Sequence, residues 1–411
     1  MPRLSVPAPF RIRSYRFQWP ADLMTSWAFE MEALILGWYV LVETGSVLLL
    51  TVLGALGYGG TLIAPMLGVA SDRIGHRLVL AGMRAVYAAV ATTLLLLATA
   101  GALTPILVCI LAAIMGLVRP SDMGLRVTLI AETMPTDRLT AALGISRTTY
   151  DSARVAGALA GAGLFAAYGM APAYVVIAGL YLTGALLTLG VEPVLPPKRE
   201  IAAGAAIGPW HDLREGLAHV WSTPSLLAFV CLAFLFNLTA YPITNGLLPY
   251  VARDVYRIDQ TGLGFLLASF PFGALLGSIA LSRATGTVRL PRVMVVSALI
   301  WYALLLLFGR MQSLPAGIAA LMLAGFAQSL SMVAHAVILL RASDQRLRGR
   351  IMGVRMLAIY SLPLGLLTAG ALIERIGFEG TVTAYALLGL TFIVLMALRW
   401  RAALWGPPVL A

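Results

Sequence analysis

Gly68-Val-Ala-Ser-Asp72-Arg73-Ile-Gly75-His-Arg77 is a short charged interruption between two apolar runs. A second stretch, Gly277-Ser-Ile-Ala-Leu-Ser-Arg283-Ala-Thr-Gly286, stands at the matching place later in the chain. The later copy keeps glycine and arginine and lacks the aspartate. A glycine-flanked basic turn that returns after the second apolar run of each half indicates a chain built twice over.

Outward from these turns the chain is apolar throughout. Of 411 residues, 60% are hydrophobic and 11% charged, where a soluble domain carries about 25% charged residues. Runs of about 20 apolar residues, long enough to cross the hydrocarbon core as helices, recur along the whole length. They predict spans at 22–44, 47–70, 78–99, 105–131, 139–168 and 171–191, then at 225–249, 261–282, 291–309, 315–339, 352–373 and 380–399. The expected fold is an all-α membrane protein of twelve transmembrane helices, arranged as two pseudo-symmetric six-helix bundles. Residues 1–21 then form a cytoplasmic tail, 22–191 the first bundle, 192–224 a cytoplasmic linker, 225–399 the second bundle and 400–411 a second cytoplasmic tail. Pro193, Pro196 and Pro197 stop the sixth helix, and Trp210 to Trp221 reads as an amphipathic helix at the interface.

The formal charge of +11 does not indicate nucleic acid, because the arginines are spread over loops and form no folded basic patch. They crowd alternate loops instead, among them Arg73, Arg77 and Arg84 after the second run, Arg283 to Arg292, and Arg341 to Arg355. The opposite side carries only Arg253, Arg257, Arg310 and Arg375. By the positive-inside rule both termini are expected in the cytoplasm, with the anionic inner leaflet and the bilayer itself as partners. Cys109 and Cys231 both fall in apolar runs without metal-ligand spacing. The four histidines, His76, His211, His219 and His335, make no His-x-x-x-His pair, and no serine or cysteine has an evident histidine partner. An intramembrane enzyme is therefore disfavoured, and no metal or cofactor is expected.

Two apolar runs carry charges that lipid does not tolerate unpaired. Arg119, Asp122 and Arg126 share one helix face, and Arg147, Asp151 and Arg154 share another. At 1.5 Å per residue, Arg119 lies roughly 21 Å from the outer end of its span, and Arg147 and Asp151 about 12 and 18 Å from the inner end of theirs. Glu30 and Glu32 come at about 12–15 Å in the first span, some 200° apart around it, so only one can face a common cavity. The expectation is one mid-membrane network of Glu30, Glu32, Arg119, Asp122, Arg147, Asp151 and Arg154. An apolar surrounding raises a carboxyl pKa and an arginine lowers it. An acid that trades one condition for the other as helices move takes up or releases a proton, and the proton gradient would be the energy source. With four arginines against Glu30, Glu32, Asp122 and Asp151 the cavity reads as nearly balanced, which suits an amphipathic small molecule. Candidate substrate contacts are Tyr39 in the first half and Asn237, Tyr241, Asn245, Gln328 and Tyr360 in the second.

The turn after the second run, with Gly68, Asp72, Arg73, Gly75 and Arg77, resembles the signature loop of the major facilitator superfamily. Further segments are similar to the branch that contains the enterobactin exporter and macrolide efflux proteins. These are Leu41-Val-Glu-Thr-Gly-Ser46, Asp212-Leu-Arg-Glu-Gly216, Leu248-Pro-Tyr-Val-Ala-Arg-Asp254, Gly262-Leu-Gly264, Gly273-Ala-Leu-Leu-Gly277 and Arg348-Gly-Arg-Ile-Met-Gly353. The fifth span resembles the antiporter signature at Gly144, Gly157 and Gly161, with Ala158 where that signature has proline and Ala162 where it ends in glycine. The arginine usual on the outer half of the fourth span is replaced by Ala112. The resemblance implies a monomeric multi-pass secondary transporter of a bacterial inner membrane, in which the glycine-flanked loop is an inner gate. Proton-coupled efflux of a drug-like or siderophore-like compound is the leading expectation, and proton-coupled import of a nutrient or metal chelate the alternative.

Overall fold

The structure, a computed structural model, describes residues 8–61, 63–193, 217–218, 220–283, 289–342, 358 and 360–400. Two compact units emerge. The first comprises Met1–Glu200 with Ile258–Ala268, and the second Ile201–Arg257 with Ser269–Ala411.

In the first unit the helices are α1 (Arg13–Thr44), α2 (Val47–Leu56), α3 (Ala64–Ile74), α4 (His76–Thr99), α5 (Pro105–Thr133), α6 (Thr136–Tyr168) and α7 (Met170–Leu189). Their ends follow local chemistry. Gly45 takes φ 65° and returns its N–H to the Leu41 carbonyl, ending α1 in a left-handed cap. The Thr104 hydroxyl accepts from the Leu107 N–H, and Pro105 opens α5 at a position where no N–H is needed. The predicted span 47–70 is broken between α2 and α3, where Gly57-Tyr58-Gly59-Gly60 offers little helix propensity.

The first helix begins earlier than the expected boundary at 22. Residues 13–21 are not a free tail: Tyr15 is 1% exposed and its hydroxyl donates to the Ala142 carbonyl at 3.0 Å. Trp19 Nε1 donates to Thr149 Oγ1 at 2.9 Å, and Phe10 packs edge-on against both rings. Aromatic side chains with one polar tip bury well wherever a neighbouring helix offers an acceptor, which composition alone does not reveal.

The second unit contains α8 (Pro224–Leu235), α10 (Leu290–Phe308), α11 (Leu314–Ala342), α12 (Ser361–Arg399) and, from Ser269 on, α9 (Gln260–Arg283), whose first residues belong to the first unit. After α8 the chain continues through π-helical turns at Phe236–Ala240 and Val251–Val255, around Pro242 and Pro249. The 39 residues of α12 are two helices joined across a kink at Gly377, whose φ of 73° is non-helical. Most of the linker helix expected over 210–221, and the tail 401–411, lie outside the described residues. Among the described residues eight helices are long and apolar enough to cross a membrane. Large apolar side chains such as Ile106, Leu186, Leu323 and Leu395 stand exposed on them.

Each unit is held by reciprocal glycine contacts. A Cβ on Gly60 would overlap the Leu117 carbonyl oxygen, and one on Gly116 the Leu56 carbonyl oxygen. In the second unit the same holds for Gly273 against Met322 and Gly325 against Phe270. Small residues let helix backbones approach closely in lipid, where no hydrophobic effect draws helices together. The repetition read from the two charged turns thus returns in the packing of α2 on α5 and of α9 on α11. Gly157 and Gly161 do similar work, admitting Trp27, Glu30 and Met31 of α1 against α6.

Candidate functional site

In the first unit, α1, α5 and α6 enclose a cavity of about 300 Å³. Each helix presents a stripe at helical period: Asp22, Ser26 and Phe29 with Glu30 from α1, Arg119, Asp122 and Arg126 from α5, and Ser146, Arg147 and Tyr150 from α6.

At one end of the stripes the charges are tightly paired. The Asp22 carboxylate holds the Arg84 guanidinium, and Arg84 donates also to Thr188 Oγ1. Arg126 pairs with Asp122 through Nε, which also stands 3.7 Å from Asp22, and its Nη1 donates to Ser26 Oγ at 2.8 Å. Gln18 Nε2 closes the group by donating to the Arg126 carbonyl at 2.9 Å. Arg84 is 0% exposed, so the assignment of this arginine to an inner loop is corrected: it lies well inside α4. Asp22 and Arg84 belong to this charged group, and sequence reasoning missed both. Their signal was available, since Asp22 continues the stripe of Ser26 and Phe29, and Arg84 stands between Met83 and Tyr87 in an apolar run.

The other charges do not merge into one network. Asp122 turns to Arg126, and Asp151 turns to Arg147 at 3.1 Å, each pair four residues apart on its own helix. Side chains at that spacing reach each other without help from a neighbouring element. Arg154 meets Glu30 across the helices at 3.9 Å. Arg119 lies over the Phe29 ring, with Cζ 4.7 Å from the centroid. Glu30 lines the cavity, whereas Glu32 is only 4% exposed and accepts from the Tyr181 hydroxyl of α7 at 2.8 Å. The direct pairs among the seven residues are thus local, and Glu32, hydrogen-bonded to Tyr181, is not among the residues lining the cavity.

The signature loop falls at the end of α3 and the start of α4. Gly68 lies in α3, Gly75 takes φ 99°, Arg73 is exposed, and the Asp72 side chain lies outside the described residues. The pairing is done by its neighbours. Arg77 Nη1 donates to the carbonyls of Val191 at 2.9 Å and Leu189 at 3.3 Å, where the end of α7 carries partial negative charge. His76 Nδ1 meets Glu132 of α5 at 2.8 Å. Arg77→Ala is expected to cost about 1 kcal/mol. The readout is a lowered melting temperature of the purified protein with unchanged helix content; an unchanged melting temperature would show that water serves those carbonyls equally well.

The remaining candidates are not among the residues that line this cavity. Gln328 Nε2 donates to the Tyr241 hydroxyl at 2.8 Å, which brings two of them together in the second unit. Asn237 turns to its own helix, donating to the Ala233 carbonyl at 2.9 Å. Asn245 is exposed and Tyr360 half-buried. Tyr39 donates to the Leu103 carbonyl at 3.0 Å and ties α1 to the turn before α5. Among the described residues no group of three or more histidine, cysteine or acidic side chains could hold a metal ion.

The family model described as Major Facilitator Superfamily matches residues 23–244 and 230–408. The chain is 25% identical over 377 residues to the multidrug efflux pump Tap of Mycolicibacterium fortuitum, covering 88% of this chain and 90% of that one. It is 28% identical over 187 residues to the enterobactin exporter EntS of Escherichia coli O1:K1 / APEC, covering 46% of this chain and 42% of the relative. Among solved structures, the nucleoside transporter NupG superposes with a TM-score of 0.74 at 14% identity over 95% of this chain and 100% of that one. The POT family transporter PepTSo gives 0.76 at 11% identity, with 95% and 98% coverage. At such identities the structures speak for the fold alone.

Proposed function

The chain belongs to the major facilitator superfamily, and on that premise we propose that it exports an amphipathic small molecule in exchange for protons, by alternating access across a bacterial inner membrane. It is a multi-pass membrane transporter and not an enzyme. The reading takes it as a monomer of twelve spans with both termini cytoplasmic. Support for that count comes from Gly377, which divides the 39-residue α12. It comes also from α1 and α6, whose 32 and 33 residues exceed the roughly 20 needed to cross although each carries charges. The direction rests on the relatives, an efflux pump and an exporter by name.

The observation that carries the coupling is the pair between Glu30 and Arg154. It is the longest of the ion pairs around the cavity, at 3.9 Å, and it joins two different helices. Arg147 and Asp151 sit on one helix, so rigid movement of helices leaves them together. A shift of α1 against α6 parts Glu30 from Arg154 instead, so this is the pair that helix movement makes and breaks.

Susceptibility profiling of a deletion and an overexpressing strain against a chemical panel selects a transported compound. Its pH-driven uptake is then followed in inverted vesicles. Glu30→Gln is expected to abolish gradient-driven uptake with normal membrane insertion, and Asp151→Asn to uncouple or abolish it. Undiminished gradient dependence in Glu30→Gln would remove this residue from the coupling, and wild-type uptake indifferent to the gradient would make the protein a uniporter.

A further inference from the structure

We propose that Arg119 is an anion-binding group of the cavity, and that its ligand carries a carboxylate or similar oxyanion on a planar apolar body. The proposal rests on the reading of this cavity as the transport site, and it names the class of molecule taken there.

The argument is one of partners. Every carboxylate on or beside the cavity already faces an arginine: Asp22 holds Arg84 and Arg126, Asp122 holds Arg126, Glu30 holds Arg154 and Asp151 holds Arg147. Glu32, counted from sequence as the acid that balances the fourth arginine, is turned to Tyr181. Arg119 makes no direct ion pair: among the described residues no carboxylate stands within 4.0 Å of it, Glu30 and Glu32 act on its charge only from farther away, and its guanidinium lies over the face of Phe29. A guanidinium at membrane depth without a direct ion pair is costly, and such groups normally find one or line a path for a ligand.

The geometry suits an oxyanion. Phe29 covers one face of the guanidinium by a cation–π contact, which leaves the planar edge with its forked N–H donors for bidentate pairing. A second positive charge lines the same cavity at Arg126, which is 7% exposed and held by Asp122 and Ser26. The arginines on this wall, Arg119, Arg126 and Arg147, would disfavour an ammonium, because the acids that could attract it are already paired. The 300 Å³ volume and the walls of Phe29, Met123, Val127 and Tyr150 accommodate an apolar ring system beside the charge.

The test is binding, with no gradient applied, so it stands apart from direction and coupling. Purified full-length protein in detergent is titrated by fluorescence with 9-anthracenecarboxylate, the matching carboxamide and 9-(aminomethyl)anthracene, probes of one ring system and three charges. The carboxylate is expected to bind at least about tenfold more tightly than the amide, and the amine more weakly than either. Arg119→Gln should erase the preference for carboxylate over amide, and Arg119→Lys should retain part of it, since the charge remains and the fork is lost. Equal affinity for carboxylate and amide in the wild type overturns the proposal. So does a full carboxylate preference surviving in Arg119→Gln. Should that variant fail to give a monodisperse protein, the wild-type comparison and Arg119→Lys still decide. A preference lost in Arg119→Gln alongside abolished pH-driven transport in Glu30→Gln would separate recognition from coupling.

Discussion

Arg84→Met is expected to destabilise the protein by about 3–5 kcal/mol, the cost of stranding a buried charge when one partner of an ion pair is removed. Arg84 is 0% exposed and pairs with Asp22, which would then keep only Arg126 at 3.7 Å. The measurement is the melting temperature and the monodisperse fraction of purified protein, compared with Asp22→Asn and with the double variant Asp22→Asn/Arg84→Met. The double variant leaves no unpaired charge at the site and is expected to recover much of the loss, the coupling that a double-mutant cycle isolates. If Arg84→Met melts like the wild type, this pair does not hold α1 to α4.

Gly116→Val has a comparably large expected effect through packing alone. Any side chain at Gly116 would meet the Leu56 carbonyl oxygen and the Gly57 backbone, so relief requires α2 to move away from α5. Backbone does not yield as the far end of a flexible side chain does, and overpacking of this kind is expected to cost more than about 3 kcal/mol. The control lies on the same helix. Gly124 has nothing within 4 Å of its would-be Cβ, and Gly124→Val should be tolerated. Equal expression and melting of the two variants would show that close approach at Gly116 is not needed. Gly325→Val in the second unit, set against the Phe270 carbonyl, is the matching test of the repeated contact.

Much of the architecture was legible from the chain because helix formation in an apolar setting depends on short-range pattern. The apolar runs expected to end at 44 and 168 do end there, as α1 and α6, each followed by a glycine that caps the helix. The reading was weakest where polar residues enter a helix that is buried by its neighbours. Residues 13–21 looked like a tail because they contain arginines and a proline, yet Tyr15 and Trp19 bury against α6. The break at Gly57 to Gly60 was read through as one span, since hydropathy averages over a window and does not register a glycine pressed against another helix.

The candidate site divides along the same line. From sequence alone it followed that Arg119, Asp122 and Arg126 share one face, that Arg147, Asp151 and Arg154 share another, and that Glu30 and Glu32 cannot both enter one cavity. Each statement concerns a single helix, whose period fixes relative directions whatever surrounds it. Tertiary structure alone decided that Glu30 is the one that enters, that Arg84 and Asp22 belong to the buried group, and that Arg119 lies over Phe29 without a direct ion pair. Those outcomes depend on how each helix is rotated about its own axis and which neighbour it meets. A sequence read one helix at a time carries no measure of that rotation, whereas contacts such as Gly157 and Gly161 on α1 set it.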